Sequence, residues 1–224
     1  MMRWLAALLL GLGLSFGAVS AAGPDWTRTA TRTAAGGVLV GNPKARVRLV
    51  EIANYTCPHC AHFSREASAA LVQRVRGGAL SVEYRPIVSE AIGLAATMLA
   101  RCATGPAFLN VNDALYARQD DWFATASAYA QINAGRLASY SELDQIKLIA
   151  TRGGIADVAV AAGLPAGQVA GCFADRARLD DVTGAVLQAS RVANATPTFL
   201  VGGAKIEGAT WPQLLAKLRA QGLQ

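Results

Sequence analysis

The residues best suited to chemistry are Cys57-Pro58-His59-Cys60. Cysteines at positions i and i+3 of a helix share one face, close enough for a disulfide. Phe63, Ala67, Ala70, Leu71 and Val75 follow at helical spacing, so the motif is predicted to open a helix that runs from Pro58 to Arg76 and stops at Gly77-Gly78. A cysteine at a helix N-terminus meets unpaired backbone N–H groups and the positive end of the helix dipole. Both favour thiolate over thiol. Cys57 is therefore expected to have a depressed pKa and to be the attacking and leaving group of thiol–disulfide exchange. Cys60, one turn inside, is expected to be more buried and to act as the resolving thiol. His59 can donate a further hydrogen bond or, protonated, a positive charge to the Cys57 sulfur. Stabilising the reduced form in this way makes the disulfide oxidising.

Half a zinc site is the competing reading of such a cysteine pair. Structural zinc needs four ligands. Cys102 and Cys172 stand alone in the sequence, and His59 and His62 are the only histidines. No metal and no cofactor is expected, and His62 reads as an exposed helix residue. The four glycine pairs read as turns. None belongs to a phosphate-binding fingerprint, so nucleotide binding has no support.

The flanking elements must position the motif. Arg46 to Ala53 is β-rich and mostly apolar, the pattern of a central strand, and Leu80 to Val88 is a second. With the helix between them they make a βαβ unit and a parallel pair. Upstream, Asp25 to Thr33 alternates with threonines at 27, 29, 31 and 33 and reads as a strand, with Val38 to Val40 returning antiparallel after a turn. An Ala-rich stretch over residues 89–193 is punctuated by Gly105-Pro106, Gly135, Gly153-Gly154 and Gly163-Leu164-Pro165. It predicts four to six helices, with Ser89 as the first N-cap. Thr196 to Val201 and Ala204 to Glu207 read as a hairpin around Gly202-Gly203, and Thr210 caps a last helix through Leu218.

Taken together, CPHC after VRLVEIANYT, a helical insertion and a late Thr196-Pro197-Thr198-Phe199 resemble the DsbA-like branch of the thioredoxin superfamily. The resemblance covers most of the chain. It implies an α/β thioredoxin-like fold, a central mixed sheet built of βαβ plus ββα, with a large α-helical insertion. The domain organisation expected is a thioredoxin-like domain over 23–88 and 194–224, with the insertion over 89–193. Thr196-Pro197 matches the cis-proline loop that faces the cysteine pair and presents backbone to an extended substrate peptide. Glu51 matches a buried acid beneath the motif. A carboxyl there has a raised pKa and relays a proton to or from Cys60, whereas simple strand alternation leaves open that Glu51 points to solvent. Tyr55 and Thr56 line the site or merely pack beside it. Cys102 and Cys172 match the structural disulfide that some members carry, which in the chain-entropy model contributes about 4 kcal/mol. Two buried free thiols are the alternative.

The 224 residues carry 21 Lys+Arg against 15 Asp+Glu, a net charge of +6, with 53% hydrophobic and 16% charged residues. Such a composition excludes a disordered or collagen-like chain. The arginines are scattered, without a basic run or aromatic platform, so no nucleic acid partner is expected. Met1 to Ala22 has a positive n-region at Arg3, an apolar stretch from Trp4 to Val19 and small residues at Ser20-Ala21-Ala22, the layout of a cleaved signal peptide. A retained anchor is the alternative. A soluble, monomeric, periplasmic protein follows. The function expected is a thiol:disulfide oxidase that passes its Cys57–Cys60 disulfide to reduced secreted proteins. A membrane reoxidase linked to quinone, as the resemblance implies, would regenerate it. A disulfide isomerase or reductase, and a non-catalytic copper-binding protein using Cys57, Cys60 and His59, are the competing functions.

Overall fold

A computed structural model describes residues 23–88 and 90–224. The segment expected to be a signal peptide, 1–22, and the expected N-cap Ser89 lie outside the described residues. Six strands form one mixed sheet: β1 (Ala30–Arg32), β2 (Val38–Gly41), β3 (Val47–Ala53), β4 (Leu80–Pro86), β5 (Thr198–Val201) and β6 (Ala204–Glu207), in the order β1-β2-β4-β3-β5-β6. β3 pairs parallel with β4 and antiparallel with β5, and the remaining neighbours are antiparallel. β3 is thus central, as its apolar run requires.

Ten α-helices accompany the sheet among the described residues: α1 (Pro58–Arg76), α2 (Ala91–Cys102), α3 (Pro106–Ala117), α4 (Gln119–Ile132), α5 (Ala134–Leu137), α6 (Glu142–Arg152), α7 (Ile155–Ala161), α8 (Val169–Cys172), α9 (Arg176–Ser190) and α10 (Trp211–Ala220). α1 occupies the predicted residues, crosses between β3 and β4, and has Pro58 in its first turn, where a missing N–H costs nothing. α10 starts from the predicted Thr210, whose capping box with Gln213 satisfies the first turn. No described helix is long and apolar enough to cross a membrane.

Two expectations need correction. Residues 26–28 are a 3₁₀ turn, not strand, and only Ala30–Arg32 pairs with β2. Asp25 accepts from the Thr27 backbone N–H at 3.0 Å, closing the turn. The turn delivers Trp26 against Gly78 at the end of α1, where a Cβ would lie 2.8 Å from the indole and where φ is +79°, in the left-handed region that glycine alone adopts freely. Tertiary packing overrides the Thr alternation. The stretch between β4 and β5 holds eight α-helices rather than four to six, because α5 and α8 are single turns of four residues. Elements so short have no periodicity to read.

The sheet is covered on both faces. Val47 and Leu49 of β3 pack with Phe63, Leu71 and Val75 of α1, Phe108 and Leu109 of α3, and Leu214 and Leu218 of α10. Val50 and Ile52, pointing the other way, meet Ala189 at the end of α9 and Ala193 just beyond it. A further core around Leu99, Leu115, Trp122, Ile146 and Ile155 fills the helical region, and Tyr55 and Cys60 belong to it. The inserted helices therefore pack directly onto the sheet and onto the cysteine motif.

Candidate active site

β3 ends at Ala53, and the chain turns once before α1. Asn54 organises this turn. Its carbonyl accepts from Cys57 N–H at 3.1 Å and its side-chain oxygen from Thr56 N–H at 3.1 Å. Cys57 is the N-cap of α1 and has no side-chain capping bond. Its sulfur therefore sits at the open helix end, half-buried, while Cys60 is fully buried at 0% exposure. Both are free thiols.

This asymmetry sets their acidities. The Cys57 thiol is lowered to about 5, first by the Cys60 side chain donating to its sulfur, then by the Thr196 side chain and the Cys60 and His59 backbone N–H groups, against a burial penalty. Cys60 is pushed up by its bond to Cys57 and by burial. One sulfur is stable as a thiolate and the other as a thiol.

The Thr196–Pro197 peptide is cis and faces the motif. As a thiol, Cys57 donates to the Thr196 carbonyl at 3.5 Å. A groove of about 370 Å³ runs between the first turns of α1 and the cis-proline loop, lined by His59, His62, Phe63, Thr196, Pro197 and Ala209. Pro58 and His59 are exposed. His59 contributes its backbone N–H to Cys57, and no hydrogen bond from its ring to that sulfur occurs among the described residues. His62 is exposed and pairs with Glu66 at 3.3 Å. No group of three or more His, Cys, Asp or Glu among the described residues is placed to hold a metal ion.

Glu51 points inward, at 4% exposure. It shares its face of β3 with Val47 and Leu49, as alternation dictates, and that face is covered by α1 and α3. Burial, followed by the neighbouring Asp113 carboxylate, raises its pKa to about 8. A folded carboxyl at about 8, against 4.5 in the unfolded chain, keeps a proton that the unfolded chain releases. Stability is therefore lost as pH rises from 4.5 towards 8, with an upper limit of about 5 kcal/mol. Glu51→Gln removes that loss. Its stability relative to the parent, from urea unfolding of the oxidised proteins, is expected to improve by a few kcal/mol between pH 5 and pH 8.5. An equal difference at both pH values would contradict the buried ionisation.

Cys102 and Cys172 are bonded to each other, with Cα atoms 5.5 Å apart across a separation of 70 residues. They tie the end of α2 to α8.

Three contributors escaped the sequence. Gln119, at the start of α4 and 4% exposed, donates its side-chain N–H groups to the carbonyls of Tyr55 at 2.6 Å and Cys57 at 2.9 Å. It fixes the backbone on both sides of Thr56. The Thr56 hydroxyl donates to Glu90 at 2.7 Å. Asn112 of α3 accepts from the Tyr55 hydroxyl at 2.9 Å. All three reach the site from inserted helices 34 to 64 positions away in sequence, and no local pattern announces them.

The family described as Thioredoxin matches residues 33–219. A curated Rickettsia typhi protein named "Putative protein-disulfide oxidoreductase" is 28% identical over 97 residues, 42% of this chain and 36% of its own length. The chain thus spans little more than a third of that relative. A protein-disulfide isomerase from Novosphingobium aromaticivorans has a similar structure, with a TM-score of 0.72 and 25% identity over 83% of this chain and 97% of the other. Wolbachia pipientis alpha-DsbA1 superposes with a TM-score of 0.63 at 19% identity, covering 82% of this chain and 89% of the other, and shares the fold.

Proposed function

Because the chain belongs to the thioredoxin family, we propose that Cys57 and Cys60 are its exchanging pair and that it is a thiol:disulfide oxidase of exported proteins. The observation that carries this reading is the division between a half-exposed Cys57 held as thiolate and a buried Cys60 held as thiol. A substrate thiolate attacks the Cys57 sulfur of the oxidised pair. The Cys57–Cys60 bond breaks, and Cys60 leaves with the electron pair and takes up a proton. The substrate's second thiolate then attacks its own sulfur in the mixed disulfide, and Cys57 leaves as a thiolate. Two electrons have passed from substrate to protein. Each leaving group departs in the form its surroundings favour, so the forward direction is oxidation of the substrate.

Pro58 and His59 set the turn between the sulfurs, Glu51 serves the proton at Cys60, and Thr196-Pro197 with the adjoining groove receives an extended substrate segment. The Cys102–Cys172 bond is structural. Residues 23–88 and 194–224 form the catalytic body and 89–193 its helical insertion. The periplasm is the proposed compartment, reached by a cleaved N-terminal signal. A quinone-linked membrane protein restores the disulfide, and the monomer needs no cofactor.

The isomerase named among the structural relatives favours a second reading, shuffling or reduction of disulfides. One experiment separates them. The oxidised protein is mixed with a reduced two-cysteine peptide, and separately the reduced protein with scrambled ribonuclease. The oxidase reading expects one peptide disulfide per protein and little ribonuclease recovery. Recovery without net peptide oxidation would establish the isomerase.

A further inference from the structure

We propose that Asp113 is the partner carboxyl of the buried Glu51 in an acid pair and the point at which that pair exchanges protons with solvent. The inference deepens the oxidase reading and rests on it, since only exchange at Cys57–Cys60 calls for a proton at Cys60.

Glu51 lies mid-strand, flanked in register by Tyr84 of β4 and Phe199 of β5. No hydrogen bond from the protein reaches its carboxyl among the described residues. The carboxyl borders two small cavities instead. One, about 10 Å³, lies between α1 and α3 against Ser68 and Asp113. The other, about 30 Å³, is walled by Tyr55, Asn112 and Tyr116. The first is at the limit for a single water and the second has room for one. Tyr55 and Tyr116, which wall the second cavity, belong to the same buried cluster as Cys60, and Tyr116 lies within electrostatic reach of its sulfur.

Asp113 sits differently. It is only partly buried, and its carboxylate accepts from Ser68 at 2.5 Å and from the Asn112 side chain at 3.1 Å. Asn112 in turn accepts from the Tyr55 hydroxyl. Two carboxyls on one small cavity cannot both ionise cheaply. Burial raises the Asp113 carboxyl too, but its two donors and partial exposure oppose that rise, so Asp113 takes the charge first and Glu51 keeps the proton. Among the described residues no cation bonds to either carboxyl. Arg85 and Arg101 border the larger cavity, but Arg85 is bound to Glu83, and Arg101 to Asp181 and the Gly36 carbonyl. Tyr55, Tyr84 and Tyr116, the other titratable groups facing the site, are driven by burial towards the neutral form.

The proton path follows. When the Cys57–Cys60 bond breaks, the Cys60 thiolate takes a proton originating at Glu51 and carried across the larger cavity by water. Glu51 is refilled across the smaller cavity from the Asp113 side, which meets solvent. Reoxidation runs the same proton outward. Asp113 thus acts through Glu51, not on the sulfurs.

The test uses Asp113→Asn, with Asp113→Ser as the second variant should the first not fold and Asp113→Glu as the conservative rescue. Glu51 protonation is followed by carbon NMR of labelled glutamate carboxyls. Reduction of Cys57–Cys60 by dithiothreitol is followed from pH 5 to pH 9. In Asp113→Asn the Glu51 midpoint is expected to fall by a pH unit or more. The reduction rate at pH 8 is expected to drop about tenfold, with its pH profile displaced. Asp113→Glu is expected to restore both. A folded Asp113→Asn or Asp113→Ser protein whose Glu51 midpoint and pH profile match the parent would overturn the proposal. If the parent's cysteine pair itself fails to exchange with dithiothreitol, the oxidase reading falls first, and the NMR midpoint still decides whether the acids are paired.

Discussion

Cys57→Ser is expected to lower the rate of peptide thiol oxidation by about a thousandfold or more, to the background of uncatalysed exchange. The size of the effect follows from the division of labour between the sulfurs. Cys60 cannot substitute, because it is fully buried and its thiol is pushed up, away from thiolate. Serine retains the shape of the N-cap and improves it, since a hydroxyl can accept from the first-turn N–H groups that Cys57 leaves uncapped. The variant should therefore be at least as stable as the parent, which separates lost chemistry from lost structure. Cys60→Ser should behave differently, accumulating a mixed disulfide at Cys57 that mass spectrometry detects. Residual turnover within tenfold of the parent in Cys57→Ser would show that the reacting sulfur lies elsewhere.

Replacing the second cysteine pair, Cys102→Ala with Cys172→Ala, is expected to cost about 4 kcal/mol of stability while leaving peptide oxidation intact. The bond closes a separation of 70 residues, and freeing that loop restores conformational entropy to the unfolded chain. The native state loses little, because Cys172 is 2% exposed in the helical core and alanine fills part of its volume. For a domain of this size the loss corresponds to a fall in Tm of about 10 °C. Urea unfolding of parent and variant, both with Cys57–Cys60 oxidised, measures it. A difference under 1 kcal/mol would mean that the unfolded chain is already held compact by other contacts.

The parts of this molecule readable from sequence are those where a local rule and the tertiary structure agree. β3 is mostly apolar, interrupted only by Arg48 and Glu51, and became the central strand. α1 has Pro58 inside its start and glycines past its end, and its bounds were fixed by both. Thr196-Pro197 could be aligned with the cysteine motif only through a family resemblance, since nothing in either segment specifies that 139 residues later the chain returns to the same sulfur. The turn at Trp26 misled because its cause, the bare face of Gly78, lies beyond any local window. Gln119, Asn112 and Asp113 look like ordinary helix polar residues. They matter because α3 and α4 fold back onto the cysteine loop, a fact of topology and not of composition. Glu51 is intermediate. The family resemblance matched it to a buried acid, but Asp113, the α3 carboxyl that adds to the effect of burial, could not be paired with it in advance.

Gln119 has a consequence for how such a molecule can be altered. Its amide, planted on the inserted helices, grips carbonyls on both sides of the reactive loop. The insertion is consequently not a cassette that can be exchanged between relatives at the strand ends. A chimera that keeps the sheet and the CPHC segment but imports foreign helices would leave two backbone acceptors stranded, unless the donor supplies its own amide at that spot. Compatibility between grafted and host segments hinges on a single side chain far from either splice point.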